Sequence, residues 1–199
     1  MCWTDIKNQS DGDYKPKFTL TTKEKSEHGT KILISELKRH SGFSLSDLSN
    51  LSVSISKIFN FLGKDFRVFV TLNNSDSIEA TRELRYESFI ERFSWDFQKD
   101  VLKIVDDEYK KKKSISGKII ASEKPLKSVK PGITLFANGR MVNEPSFFGH
   151  SESSNFFSYI TGWLDVDFID EGSGENDLIS THRKSLEWEE KEAIELRDF

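Results

Sequence analysis

Cysteine is all but missing from this 199-residue sequence: Cys2 stands alone, so no internal disulfide can form. That usage fits a reducing compartment. No stretch approaches the roughly 18 consecutive apolar residues that a membrane-spanning helix requires. The opening Met1-Cys2-Trp3-Thr4-Asp5 lacks the basic-then-apolar pattern of a secretory signal. A cytoplasmic protein is therefore expected. His28, His40, His150 and His182 are scattered without metal-ligand spacing, so a zinc site is not expected. Ser151, Ser153 and Ser154 lack a Gly-x-Ser-x-Gly setting, which argues against a serine nucleophile. No internal repeat is visible.

What is present is core material. Hydrophobic residues make up 36% and charged residues 31%, and sixteen Phe and four Trp supply bulk. This composition excludes a disordered chain, and the length suffices for one large domain or two small ones. The net charge of −4 argues against a surface that binds nucleic acid throughout, while leaving room for a local patch.

Hydrophobic periodicity sets out the elements. Phe18 to Thr21 reads as a short strand. Thr30 to Leu37 reads as a strand covered on both sides, because its apolar run is nearly continuous. Leu48, Leu51, Ile55, Ile58, Phe59 and Leu62 follow helical spacing, which predicts a helix over 46–62. Ser46 is its expected N-cap and Gly63 its expected C′ residue. Phe66 to Leu72 alternates as a strand, followed by the turn cluster at 73–77. The stretch 78–114 has aromatic anchors at Phe89, Phe93, Trp95 and Phe97 but no clean period. Ile115 to Ala121 reads as a strand. Asn138-Gly139 between Gly132–Ala137 and Arg140–Val142 predicts a tight hairpin, since both turn positions tolerate positive φ. Gly162 to Phe168 reads as a further strand, and a helix is expected from about Glu187, acidic at its start. The order gives an α+β, or mixed α/β, fold with a mixed sheet.

Three segments resemble one family. His28-Gly29-Thr30-Lys31-Ile32 resembles the last nucleotide-site motif of the GHKL ATPases, the gyrase, heat-shock-protein-90, histidine-kinase and MutL types. In that family a Gly-Thr pair opens a central strand, and the Thr hydroxyl joins the polar network beneath the adenine. Gly132 to Val142 resembles the Asn-Gly-Arg hairpin of the family's transducer domain. Asp177-Leu178-Ile179-Ser180-Thr181-His182-Arg183-Lys184-Ser185-Leu186 resembles the heat-shock-protein-90 middle-domain loop, whose Arg reaches the γ-phosphate of ATP held by the preceding domain. A guanidinium suits that task because its planar fork matches phosphate oxygens and stays charged. The overall likeness is to bacterial ATP-binding proteins of this type and runs over about residues 14–199. It implies C-terminal strands of a GHKL nucleotide-binding domain in 1–45 and a transducer-like α/β domain in 46–199. It also implies Gly29 and Thr30 at the nucleotide and Arg183 in an arginine-finger role.

The sequence departs from the family in one respect: the Glu-x-x-x-Asn helix, the Asp-x-Gly-x-Gly loop and the Gly-rich lid are missing. The resemblance therefore implies ATP and magnesium bound by an upstream segment, with neither held tightly by this chain alone. The expected role is to couple ATP binding in that segment to conformational change. The resemblance also allows a homodimer. The alternative reading is a non-catalytic module using the basic 110–130 segment on nucleic acid or a partner. Its core would be Lys110, Lys111, Lys112 and Lys113, joined by Lys118, Lys124, Lys127 and Lys130. A charge run is ordinarily a solvated loop.

Overall fold

The computed structural model describes residues 29–33, 42–60, 62, 66–73, 76–105, 108–149, 154–171, 178–180 and 185–199. The chain divides into two units, Met1–Ser41 and Gly42–Phe199. In the first, residues 29–33 carry no regular structure and are exposed, Ile32 and Leu33 each by 80%. The strand expected from Thr30 is therefore not formed over 30–33. A strand needs a neighbour for its N–H and C=O groups, and none pairs with these residues among those described. Residues 34–37 and the expected strand at Phe18–Thr21 lie outside the described residues.

The second unit is α+β, with a two-stranded and a five-stranded sheet. Helix α1 spans Leu45–Ile58. Its N-cap is Ser44 rather than the expected Ser46. Ser44 and Asp47 close a capping box, with the Ser44 N–H donating to Asp47 Oδ2 at 2.9 Å. The helix ends at Ile58 rather than Leu62 because Phe59 forms an antiparallel bridge with Arg140 and the Asn60 N–H bonds Gly139 O at 2.6 Å. Gly63 lies outside the described residues. The buried face matches the expected one only in part: Leu48 is buried as expected, and so is Leu62 beyond the helix, but Ser52 and Ser56 are buried too, whereas Leu51 and Ile58 are exposed. The two buried hydroxyls donate to carbonyls of their own helix, Ser52 to Leu48 and Ser56 to Val53. Serines at i and i+4 keep this face flat enough for α1 to lie close against the next elements.

Those elements are the hairpin strands β1 (Val68–Val70) and β2 (Ile78–Ala80), and a 3-10 turn at Glu83–Tyr86. Strand β1 is shorter than the expected 66–72 run, and Asn73 adopts φ 53° in the connecting turn.

The larger sheet contains β3 (Glu91–Asp96), β4 (Ser116–Ser122), β5 (Gly132–Ala137), β6 (Arg140–Ser146) and β7 (Ile160–Asp165). Its order is β3-β4-β7-β5-β6, antiparallel throughout except for the parallel β5–β7 pair. The predicted Asn138-Gly139 hairpin is present, with φ 50° and 72° at the two turn residues. Asp167 Oδ1 accepts from the Asn138 N–H at 2.7 Å, and Asp170 Oδ2 from Asn138 Nδ2 at 3.0 Å. The expected Gly162–Phe168 strand begins and ends earlier. After Asp165 the Val166 N–H turns to Phe136 O, and Asp167–Asp170 forms a 3-10 turn under the hairpin. Gly117 and Gly162 let β4 and β7 approach closely: a Cβ on Gly162 would lie 2.3 Å from Lys118 O.

One face of the sheet carries Leu135 and Ala137 into the main core with Ile115, Val142, Val166, Phe168, Leu178, Ile179 and Leu186. The final helix, α2 (Lys191–Asp198), adds Leu196 to that core. It starts later than Glu187 because Leu186 bridges to Ile179 and the Glu187 N–H bonds Leu178 O. No helix among the described residues is long and apolar enough to cross a membrane.

Candidate functional site

Arg183 lies outside the described residues, but both flanks of its loop are described and well anchored. Leu178, Ile179 and Leu186 are each at most 5% exposed. Ile179 bridges Leu186, the Ser180 N–H donates to Ser185 O at 3.1 Å, and the Glu187 N–H donates to Leu178 O at 2.8 Å. The Leu186 N–H also reaches Asn143 Oδ1 on β6, at 3.4 Å. Asn143 is held in turn by its Nδ2, which donates to Glu144 O and Ser146 Oγ. The loop thus stands on a short antiparallel base set into the core and tied to the β5–β6 hairpin. Gly29 and Thr30 are exposed.

On the other face of the sheet, a polar junction gathers residues far apart in sequence. Asn60 Nδ2 donates to Asp165 Oδ1 at 2.7 Å, joining the end of α1 to the end of β7. Arg85, only 5% exposed, extends from the 3-10 turn, and its guanidinium lies 4.9 Å from the Phe136 ring centroid. One of its NH2 groups donates to Phe59 O at 3.0 Å. Arg85 Nε and Asn60 Oδ1, a donor and an acceptor, are buried without a hydrogen-bond partner. Tyr86 stacks on Trp163 with centroids 5.5 Å apart. Beside the junction runs a cleft of about 420 Å³ with Arg82, Glu83, Glu87, Glu91 and Lys118 among its lining residues and Ile120 and Trp163 as apolar wall. Glu91 and Lys118 in its lining form an ion pair at 2.8 Å.

Burial shapes the electrostatics here. It pushes the Asp165 carboxyl up from its ordinary range, an effect opposed by the Asn60 hydrogen bond. It lowers the Arg85 pKa, and pushes the Tyr86 phenol up to about 12. The Lys118 hydrogen bond holds Glu91 below its ordinary range. Asp165, bonded to Asn60 near the buried guanidinium, forms a structural clasp, and the cleft next to it carries both signs of charge.

The lysines of 110–130 are not gathered on one patch. Lys110 to Lys113 precede β4, whereas Lys124, Lys127 and Lys130 follow it. The strand between them covers about 20 Å at 3.3 Å per residue. Lys111 is paired with Glu192 on α2 and lies 4.7 Å from the Phe168 ring centroid. Lys118 is paired with Glu91, and Lys130 with Glu144 at 3.7 Å.

Sequence reading missed Asn60, Arg85, Tyr86 and Asp165. The Asn60–Asp165 bond spans 105 residues, and nothing in local periodicity pairs them. The one usable signal is alternation in Trp163-Leu164-Asp165, which sets Asp165 on the same strand face as Trp163. Comparison with family models, with curated proteins and with solved structures gives no match.

Proposed function

We propose that this chain is the transducer module of a GHKL-type ATPase, working in the cytoplasm with a segment that holds ATP and magnesium. Binding or hydrolysis of ATP in that segment is coupled through Arg183 to a conformational change. The observation that carries this reading is the base of the Asp177–Leu186 segment. Its ends are buried at Leu178, Ile179 and Leu186 and are tied to β6 through Asn143. A phosphate contact made by Arg183 then acts on a footing that shares one core with the five-stranded sheet. Force on the loop reaches the β5–β6 hairpin, and from Gly139 it reaches the end of α1. A rigid footing of this kind supports the reading of hinge closure around a ligand. Gly29 and Thr30 lie at the nucleotide in this scheme, and the chain by itself turns over no ATP.

The test is ATP hydrolysis by this chain alone and by the chain joined to a segment bearing the Glu-x-x-x-Asn and Asp-x-Gly-x-Gly motifs. Activity is expected only in the joined form. There, Arg183→Ala lowers kcat by about a thousandfold, the low end for an arginine finger. Turnover unchanged by that substitution would sink the role of Arg183.

A further inference from the structure

The cleft beside the α1–sheet junction is lined by polar groups that the fold leaves unanswered. Arg85 and Asn60 both line it and are only 5% and 6% exposed. Arg85 Nε lacks an acceptor, and Asn60 Oδ1 lacks a donor. Native folds hold few buried polar atoms of this kind, because each is destabilising until it finds a partner. The guanidinium also lacks a close counter-ion. It donates to the neutral Phe59 carbonyl, and no carboxylate among the described residues forms an ion pair with it. Asp165 favours its charge electrostatically but bonds Asn60 instead. The cleft volume, about 420 Å³, lies within the range of small-molecule sites, roughly 300–1,000 Å³.

The charges around the cleft select the kind of occupant. Arg82, Arg85 and Lys118 are balanced by Glu83, Glu87 and Glu91. Lys118 and Glu91 pair with each other, whereas Arg82, Glu83 and Glu87 have no ion pair among the described residues. A phosphate ester would meet three carboxylates, and a simple cation would meet two arginines. A ligand that is neutral overall and carries one charge of each sign suits this lining best.

We propose that the cleft binds a free α-amino acid with an apolar side chain. Its carboxylate meets the Arg85 guanidinium, whose planar fork matches two oxygens, with Arg82 at the rim. Its ammonium donates to Asn60 Oδ1. Its side chain lies along Ile120 and the Trp163 ring, which Tyr86 backs by stacking. Both orphan atoms are closed off from water, so seating the ligand entails a small turn of each side-chain end toward the cleft. The site stands whether or not the Arg183 loop meets a phosphate.

The experiment is titration calorimetry of the full chain with L-leucine and with L-phenylalanine. It is paired with NMR of the Trp163 indole N–H, assigned through Trp163→Phe. Saturable binding at about 1 mM or tighter is expected for at least one of the two, with the Trp163 resonance shifting along the same curve. The matching amides lack the carboxylate, and the matching des-amino acids lack the ammonium. Each is expected to bind about tenfold or more weakly, because one buried charge then goes unanswered. Arg85→Met is expected to weaken binding to the same degree. If that variant does not fold, Arg82→Glu at an exposed position reverses the rim charge and still weakens binding. Binding of neither amino acid would overturn the proposal. So would an amide, a des-amino acid or inorganic phosphate that binds as well as the amino acid, a Trp163 resonance that does not move, or affinity unchanged in the arginine variants.

Discussion

Replacing Arg85 measures how firmly the α1–sheet junction is held. Its guanidinium is 5% exposed, donates to Phe59 O at 3.0 Å and lies 4.9 Å from the Phe136 ring centroid. Removing the charge forfeits a charge-assisted hydrogen bond, about 1.5–3 kcal/mol. It also forfeits a desolvated cation–π contact of about 2 kcal/mol. Against these stands the cost of keeping a cation from water, several kcal/mol per ion. That cost is the same burial that lowers the Arg85 pKa, and the charge on Asp165 offsets part of it. Arg85→Met keeps most of the side-chain stem, so its net loss is the difference between these terms, about 1–2 kcal/mol. Arg85→Ala also leaves a cavity over Phe136, adding about 2 kcal/mol. At about 2–4 °C per kcal/mol for a chain of this length, Tm falls by roughly 2–8 °C for Met and by about 10 °C for Ala. Urea unfolding followed by tryptophan fluorescence gives the ranking directly, because Trp163 stacks on the neighbouring Tyr86. If Arg85→Met equals or exceeds the wild type in stability, desolvation outweighs the contacts and the argument fails.

Two further predictions come from the backbone and the phenols. Gly162→Ala sets a methyl group 2.3 Å from Lys118 O, so β4 and β7 must part. A loss of about 3 kcal/mol or more, at the upper end for point substitutions, is expected in thermal unfolding, and a wild-type Tm would refute the close approach. Tyr86 and Tyr109 have pKa values pushed up to about 12 from an ordinary 10. The folded form therefore keeps these protons when the unfolded form has lost them. Their stabilisation is whole below pH 10 and disappears as pH rises through about 12. For Tyr86 the two-unit shift is worth about 2–3 kcal/mol, so Tyr86→Phe should flatten the alkaline fall in stability. Tyrosinate absorbance should show late ionisation that Tyr86→Phe reduces, and an unchanged titration would contradict the burial assigned to this ring.

The elements that were legible in sequence are those whose signal is local. Asn138-Gly139 specifies its turn by conformational tolerance, and the strand expected at 115–121 lies at Ser116–Ser122. Helix α1 was legible as a helix, but its buried face only in part. Hydrophobicity favoured Leu51 and Ile58, whereas close packing selected Ser52 and Ser56. That choice depends on the distance to the neighbouring elements, which no periodicity encodes. The 78–114 stretch was unreadable because its structure is irregular: a 3-10 turn, an edge strand with an irregular register, then one π-helical turn at Phe97–Val101. The edge strand also turns Phe93 and Trp95 outward, so its aromatics do not mark the core. The junction of Asn60, Arg85 and Asp165 is tertiary in origin, and no single segment of the chain contains its logic.

The central position of β7 has a consequence for the order of folding. The β5–β6 hairpin closes across two residues, and β3 meets β4 across a longer but still continuous stretch. Neither pair touches the other until Ile160–Asp165 is laid between β4 and β5. During synthesis, therefore, the growing chain is expected to carry two separate half-sheets with open inner edges. The strand that joins them is the last of the five to leave the ribosome. Its arrival also delivers Asp165 to Asn60, so the long-range clasp and the closure of the sheet become one late, cooperative event.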